Sequence, residues 1–271
     1  MVTMKRAALD GVDLEYEVRG SGEPIVFVHH GAGVEWFARL VEEPALAVGY
    51  SLIRYRRAGY GGSSALGRQR TFADEASHFA QLMSYLNLER AHVVGHSAAG
   101  CIALQIALDA GERVQSLALL EPALLAVPSP PEVPQAIELF RAGDKTAAVE
   151  TFLRGTCGAD ARVPLEKAIP GAFSQALASA DTFFTDELPA LRRWTFGPEE
   201  AKRVLTPVLA VVGEKSDDRF RQRQQLLLEW LPDVEEFVLP GAGHLLHLQN
   251  SRAMAAALAW FFARHSRGAV A

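Results

Sequence analysis

Short apolar segments alternate with longer segments of helical spacing along most of this 271-residue chain. The stretch from Pro24 to His29 forms a continuous apolar run, which is typical of a strand buried on both faces. The stretch TFADEASHFAQLMSYLNL instead places Phe72, Ala76 and Phe79 near one helical face. Strands that alternate with helices form a mostly parallel sheet covered on both sides. The sequence therefore predicts an α/β fold with a mostly parallel central sheet flanked by helices.

The alternation stops between about Pro128 and Pro198, where helix-like segments bounded by proline and glycine follow one another. It resumes with the strand PVLAVVG and closes with the helix SRAMAAALAWFFARH. We therefore expect residues 1–127 and 199–271 to form one core and residues 128–198 to form a helical insertion.

Charge and hydropathy narrow the classes of partner. The net charge is −5 and the Lys and Arg residues are scattered, which argues against nucleic acid. No apolar window is long enough to span a membrane, and the N-terminal segment turns polar before a signal peptide could form. We expect a cytoplasmic monomer or homodimer that binds a small molecule. Without a metal-binding cluster or a dinucleotide fingerprint in the sequence, no cofactor and no metal are expected.

The stretch HVVGHSAAGCIALQIAL runs from an apolar strand through a tight turn into an apolar helix. Its centre, GHSAA around Ser97, resembles the G-x-S-x-G nucleophile elbow of the α/β-hydrolase superfamily, with Ala99 in place of the second glycine. A serine that only caps a helix is the alternative interpretation. The resemblance implies an α/β-hydrolase fold, Ser97 as nucleophile, and residues 128–198 as a cap over the site.

Two further segments resemble parts of the same superfamily. VFVHHGAGVEWF is similar to the loop after the third strand, which implies that the Ala32 N–H stabilises an oxyanion together with the Ala98 N–H. Gly31 is the alternative donor in that loop. PGAGHLLHLQNS is similar to the loop after the last strand, which implies that His244 is the general base.

The acid partner of the base has two candidate positions. The superfamily usually places an aspartate three residues after the glycine of PVLAVVG, but Ser216 stands there, and Asp217 or Asp218 could serve only in a longer loop. Glu121 ends the strand VQSLALLE and resembles the acid of some haloalkane dehalogenases and of zearalenone lactonases. A carboxylate at the end of an apolar strand is costly to bury without a partner, which favours Glu121 beside the histidine.

The resemblance implies a carboxylic ester hydrolase that forms an acyl-enzyme on serine. The aromatic-rich insertion indicates a small hydrophobic ester or lactone, and Trp194, Phe184 (of the Phe183–Phe184 pair) and Trp36 are the expected substrate-binding residues. Carbon–carbon bond hydrolysis or cofactor-free oxygenation at the same site, and a small-molecule receptor with a slow triad, remain alternatives.

Overall fold

The computed structural model describes residues 4–266, which contain an eight-stranded sheet. Its order is β1-β2-β4-β3-β5-β6-β7-β8. Strand β2 is antiparallel to both of its neighbours, and every other adjacent pair is parallel. The strands are β1 (Lys5–Leu9), β2 (Val12–Gly20), β3 (Glu23–Val28), β4 (Tyr50–Tyr55), β5 (Ala91–His96), β6 (Val114–Leu120), β7 (Val208–Gly213) and β8 (Val234–Leu239). The predicted mostly parallel sheet is confirmed.

Helices cover the sheet and form the insertion. They are α1 (Pro44–Ala47), α2 (Phe72–Tyr85), α3 (Ala98–Asp109), α4 (Glu132–Arg141), α5 (Lys145–Cys157), α6 (Arg162–Ala168), α7 (Ala172–Ala178), α8 (Ala180–Thr182), α9 (Leu188–Arg193), α10 (Pro198–Ala201), α11 (Asp218–Trp230), α12 (Leu246–Gln249) and α13 (Ser251–Arg264). A π-helical turn, Phe183–Glu187, joins α8 to α9, and short 3₁₀ turns occupy Leu40–Glu42 and Gly111–Arg113. Within residues 4–266, no helix has both the length and the hydropathy to cross a bilayer.

The central strands are apolar because both of their faces are buried. Alternate residues of β3 show this directly: Val26 and Val28 join the apolar cluster under α2 and α3, whereas Ile25 and Phe27 join the cluster under α1 and α13. This alternation follows from the two-residue period of a strand. An apolar layer therefore packs on each face of the sheet, and the two layers fix the positions of its strand ends.

The insertion between β6 and β7 has its own apolar cluster, which draws on helices α4 to α9. Ala32 and Trp36, which follow β3, belong to the same cluster, as do Leu245 and Leu248, which follow β8. The insertion therefore packs against loops that follow the carboxyl ends of two strands. In an open α/β sheet this edge is where ligands bind.

Candidate active site

Ser97 lies in the turn between β5 and α3, with a positive φ (φ 56°, ψ −124°) that a serine rarely adopts. Its N–H donates to the Leu120 carbonyl at 3.0 Å, and its own carbonyl accepts the Ala123 N–H at 3.1 Å. A Cβ atom at Gly95 would lie 2.4 Å from the Ala99 carbonyl oxygen, so only glycine fits there. The surrounding backbone thus holds Ser97 in a strained turn, as expected at a functional site.

The structure brings His244 between Ser97 and Glu121. Its Nε2 lies 3.2 Å from Ser97 Oγ, and its Nδ1 lies 2.6 Å from Glu121 Oε2. Because an ionised carboxylate only accepts hydrogen bonds, Nδ1 carries the proton and Nε2 presents its lone pair to the serine hydroxyl. The three side chains can pass a proton from serine to imidazole while the carboxylate stabilises the resulting imidazolium.

The second oxygen of Glu121 is also fully engaged. Oε1 accepts the Gly213 N–H at 2.8 Å and the Ser216 hydroxyl. Ser216 occupies the position where an aspartate was expected in the superfamily pattern, and here it donates to the glutamate instead. These donors give the buried charge the partners that it requires.

Asp217 and Asp218 lie outside this arrangement. Asp217 caps helix α11: its Oδ1 accepts the Arg219 N–H at 2.9 Å and Nε at 2.7 Å, and its side chain is 50% exposed. Asp218 is the exposed first residue of that helix. The geometry therefore favours Glu121 over both aspartates as the partner of the imidazole.

The two predicted oxyanion donors differ in their surroundings. Ala98 is the first residue of α3, where an α-helix leaves its N–H groups without an intrahelical acceptor. Gly31, the alternative donor, is occupied because its N–H donates to Glu187 Oε1 at 2.9 Å. In the described part of the chain, no hydrogen bond uses the Ala32 N–H. Ala32 and Ala98 therefore remain the candidate pair.

Buried aromatic rings support the imidazole of His244. The Phe220 ring stacks on it with a centroid distance of 4.1 Å and an interplanar angle of 15°. His96 Nε2 donates to the His244 carbonyl at 2.8 Å. Burial lowers the pKa of His30 and His96 well below the ordinary value for histidine, and the neighbouring imidazoles lower it further. The same two causes lower the pKa of His247 to about 3. These three histidines are therefore neutral at pH 7 and act as packing or hydrogen-bonding groups.

A cavity of about 290 Å³ opens at Ser97 and His244. Both the sheet edge and the insertion line it. Its remaining walls are His30, Ala98, Ala123, Leu125, Ser129, Pro130, Val133, Pro134, Phe152, Gly155, Thr156, Phe183, Leu188, Leu191, Arg192, Arg219, Phe220 and Arg223. The sequence analysis did not predict that helix α11 forms part of the cavity wall. The signal was available, because α11 begins directly after the loop that contains Ser216 and its first turns must therefore lie near that loop.

None of the three expected substrate-binding residues is among the residues that line this cavity, and each has other contacts. Trp36 is buried with its ring edge against the imidazole of His30, at a centroid distance of 4.3 Å. Trp194 Nε1 donates to Gln105 Oε1 at 2.8 Å and so ties the insertion to helix α3. Phe184 stacks on Phe140 at 4.8 Å inside the insertion, and its neighbour Phe183 lines the cavity instead.

Within residues 4–266, the His, Cys, Asp and Glu side chains form no group of three or more that could hold a metal ion.

Comparison with known families agrees with this architecture. Residues 25–257 match the alpha/beta hydrolase family over most of the chain. The chain belongs to that family. This match extends far beyond the segment around Ser97. It confirms both the resemblance to the α/β-hydrolase superfamily and the predicted fold.

Matches to individual proteins cover only part of the length or have low sequence identity. A 116-residue segment, 43% of this chain, is 37% identical to the dihydrolipoyllysine-residue acetyltransferase component of the acetoin cleaving system of Cupriavidus necator, and the match spans only 31% of that protein. The uncharacterized hydrolase YraK of Bacillus subtilis is 26% identical over 82% of this chain and 84% of its own. The enol-lactonase of Burkholderia xenovorans superposes with a TM-score of 0.83 at 19% identity, covering 96% of this chain and 100% of its own. At 19% sequence identity, this superposition is evidence for the fold alone.

Proposed function

We propose that the protein is a carboxylic ester hydrolase that cleaves an ester or lactone of a small hydrophobic substrate. The observation that carries the proposal is the hydrogen-bonded line from Ser97 Oγ through the His244 imidazole to Glu121. A serine nucleophile needs a base within reach, and the base needs a third group that fixes its tautomer. Both needs are met in this line.

The reaction follows from these contacts. Ser97 Oγ bonds to the substrate carbonyl carbon while His244 Nε2 takes the hydroxyl proton. The carbonyl oxygen becomes an oxyanion that the N–H groups of Ala32 and Ala98 stabilise. When the intermediate collapses, the carbon–oxygen bond to the alcohol breaks and Nε2 returns the proton to that alcohol. Water then attacks the acyl-enzyme by the same route, which releases the acid and restores the serine.

The cavity supports a small and mainly apolar substrate. Its volume of about 290 Å³ is at the low end for ligand pockets, which run from roughly 300 to 1,000 Å³. Phe152, Phe183 and Leu188 of the insertion supply apolar wall. We propose that residues 128–198 act as a cap that selects the substrate, on a core formed by residues 1–127 and 199–271.

A panel of short p-nitrophenyl esters and aliphatic lactones, assayed with the wild type and with Ser97→Ala, tests the function. Turnover should fall by at least about 10³-fold in the variant, because removing the nucleophile leaves only the oxyanion donors and binding. Ser77→Ala, which changes an exposed serine on α2, is the matched control and should keep full activity. Equal turnover in wild type and Ser97→Ala would refute the assignment. Tight ligand binding without turnover would indicate a receptor.

A further inference from the structure

Glu187 of the insertion contacts the loop that carries a candidate oxyanion donor. The carboxylate is fully buried. Its Oε1 accepts the Gly31 N–H at 2.9 Å, and its Oε2 accepts the Tyr60 hydroxyl at 2.6 Å and pairs with the Arg57 guanidinium. The proton relay through His244 makes no use of this residue. A carboxylate from the insertion thus reaches the backbone beside the reacting centre.

The contact between insertion and loop is tight. A Cβ atom built on Gly31 would lie 2.1 Å from the Tyr60 hydroxyl and 2.7 Å from both Glu187 Oε2 and the Phe183 ring. Only glycine lets the loop approach these groups. Glycine also has the greatest backbone freedom, so a restraint from outside the loop helps to hold one conformation. The hydrogen bond from Gly31 to Glu187 is such a restraint.

The restraint comes from an unusual piece of backbone. Glu187 ends the π-helical turn that begins at Phe183, and π turns are rare and frequently found at functional sites. Phe183 lines the cavity at Ser97, and Glu187 binds the loop. One turn of the insertion therefore forms part of the substrate wall and also fixes the backbone next to Ala32.

Charge pairing with Arg57 alone does not account for this geometry. Arg57 already pairs with Glu75, whose Oε1 lies 2.9 Å from its Nη1, and its Nε donates to the His29 carbonyl at 2.7 Å. Glu75 is as deeply buried as Glu187. Its Oε1 accepts hydrogen bonds from Arg57 and Arg70. Of these two carboxylates, Glu187 is the one that also accepts a hydrogen bond from residues 29–33, the oxyanion loop.

We propose that Glu187 is a positioning residue that holds the oxyanion loop so that the Ala32 N–H faces the substrate carbonyl. Hydrolysis then depends on the position of the π-helical turn, because displacement of that turn would break the hydrogen bond that holds the loop. The inference rests on the proposed ester hydrolysis through Ser97.

The test compares Glu187→Gln and Glu187→Ala with Glu75→Gln as the matched control. For the Glu187 variants, we expect kcat to fall about 10- to 100-fold with KM within about threefold, since full loss of one oxyanion donor costs about 10²- to 10³-fold. Affinity for an alkyl boronic acid, which mimics the tetrahedral intermediate, should fall by the same factor as kcat/KM. Glu75→Gln should lower the melting temperature and leave kcat within about threefold.

Equal losses of kcat in the Glu187 and Glu75 variants, or an effect on KM alone, would overturn the positioning role. Where Glu187→Ala does not fold, Gly31→Ala displaces the same contact without removing a charge and should reproduce the loss of kcat. Hydrogen exchange in peptides that cover residues 29–33 provides a readout without substrate. Faster exchange in Glu187→Gln than in Glu75→Gln supports the restraint, and equal exchange refutes it. A wild type without Ser97-dependent turnover would refute the proposed function instead.

Discussion

Replacing Glu121 by glutamine removes a charge while it keeps the shape of the side chain. Oε1 now accepts hydrogen bonds from the Gly213 N–H and the Ser216 hydroxyl. In the variant these donors will take the amide oxygen, so the amide NH₂ will face His244 Nδ1, where Oε2 now lies at 2.6 Å. An NH₂ donor requires an unprotonated Nδ1, and the proton must then sit on Nε2. An imidazole in that tautomer cannot take the proton of Ser97.

The expected loss is large. In the Ser-His-Asp template the wrong tautomer lowers kcat by about 10⁴-fold, which corresponds to about 5.4 kcal/mol in the activation free energy. We expect Glu121→Gln to lower kcat by about 10³- to 10⁴-fold with little change in KM. Steady-state assays with the best ester of the panel measure this, after circular dichroism has shown that the variant is folded.

Asp217→Asn is the matched control, because it removes a charge from the rival acid and keeps a residue that caps helices well. It should change kcat by less than about threefold. Glu121→Gln with activity within tenfold of wild type, or a larger loss in Asp217→Asn, would refute the assignment of the acid.

Two further predictions concern stability. Burial and the adjacent His244 lower the pKa of His247 from 6.5 to about 3, so between these pH values the unfolded chain binds a proton that the folded chain does not. Stability is therefore lost as the pH falls through 6.5 toward 3. His247→Phe should reduce the slope of the unfolding free energy by up to about 1.4 kcal/mol per pH unit between about pH 6 and pH 5, and by about half as much between pH 7 and pH 6, in urea titrations. An unchanged slope would contradict this. Gly95→Ala should lower the unfolding free energy by about 1–3 kcal/mol, since its methyl group would lie 2.4 Å from the Ala99 carbonyl oxygen. Gly111→Ala, with open space around the new methyl group, should stay within about 0.5 kcal/mol, and equal losses in the two variants would rule out the steric explanation.

The sequence was sufficient for features that depend on local patterns. The buried strands and the helix α2 follow from periodicity, and the turn at Ser97 follows from small residues between an apolar strand and an apolar helix. Helix α6 has only a weak local signal, because its segment RVPLEKA contains Pro164, which is tolerated in the first helical turn but does not itself indicate a helix. The π-helical turn has no sequence periodicity of its own, so its contact with Gly31 could not be predicted and is known only from the tertiary structure.

Composition could not identify the cavity wall. Phe183 and Phe184 are adjacent and chemically identical, yet one faces the cavity and the other stacks inside the insertion. Which of them faces substrate depends on the rotation of the π-helical turn. Trp194 was similarly ambiguous, because an amphipathic ring with one N–H donor suits a pocket and also suits an anchor such as its bond to Gln105.

The position of Glu121 shows how either of two neighbouring strand ends can supply a carboxylate to one imidazole. Strands β6 and β7 are paired in parallel, with Leu120 opposite Val211, so Glu121 and the loop after Gly213 emerge side by side at one edge of the sheet. A carboxylate from either strand end can reach the same imidazole. When the acid comes from β6, a second carboxylate at position 216 would repel it, since like charges at one site raise each other's pKa. A serine there removes that repulsion and donates a hydrogen bond to the glutamate. The serine that breaks the expected pattern and the glutamate that ends an apolar strand are thus two parts of one arrangement.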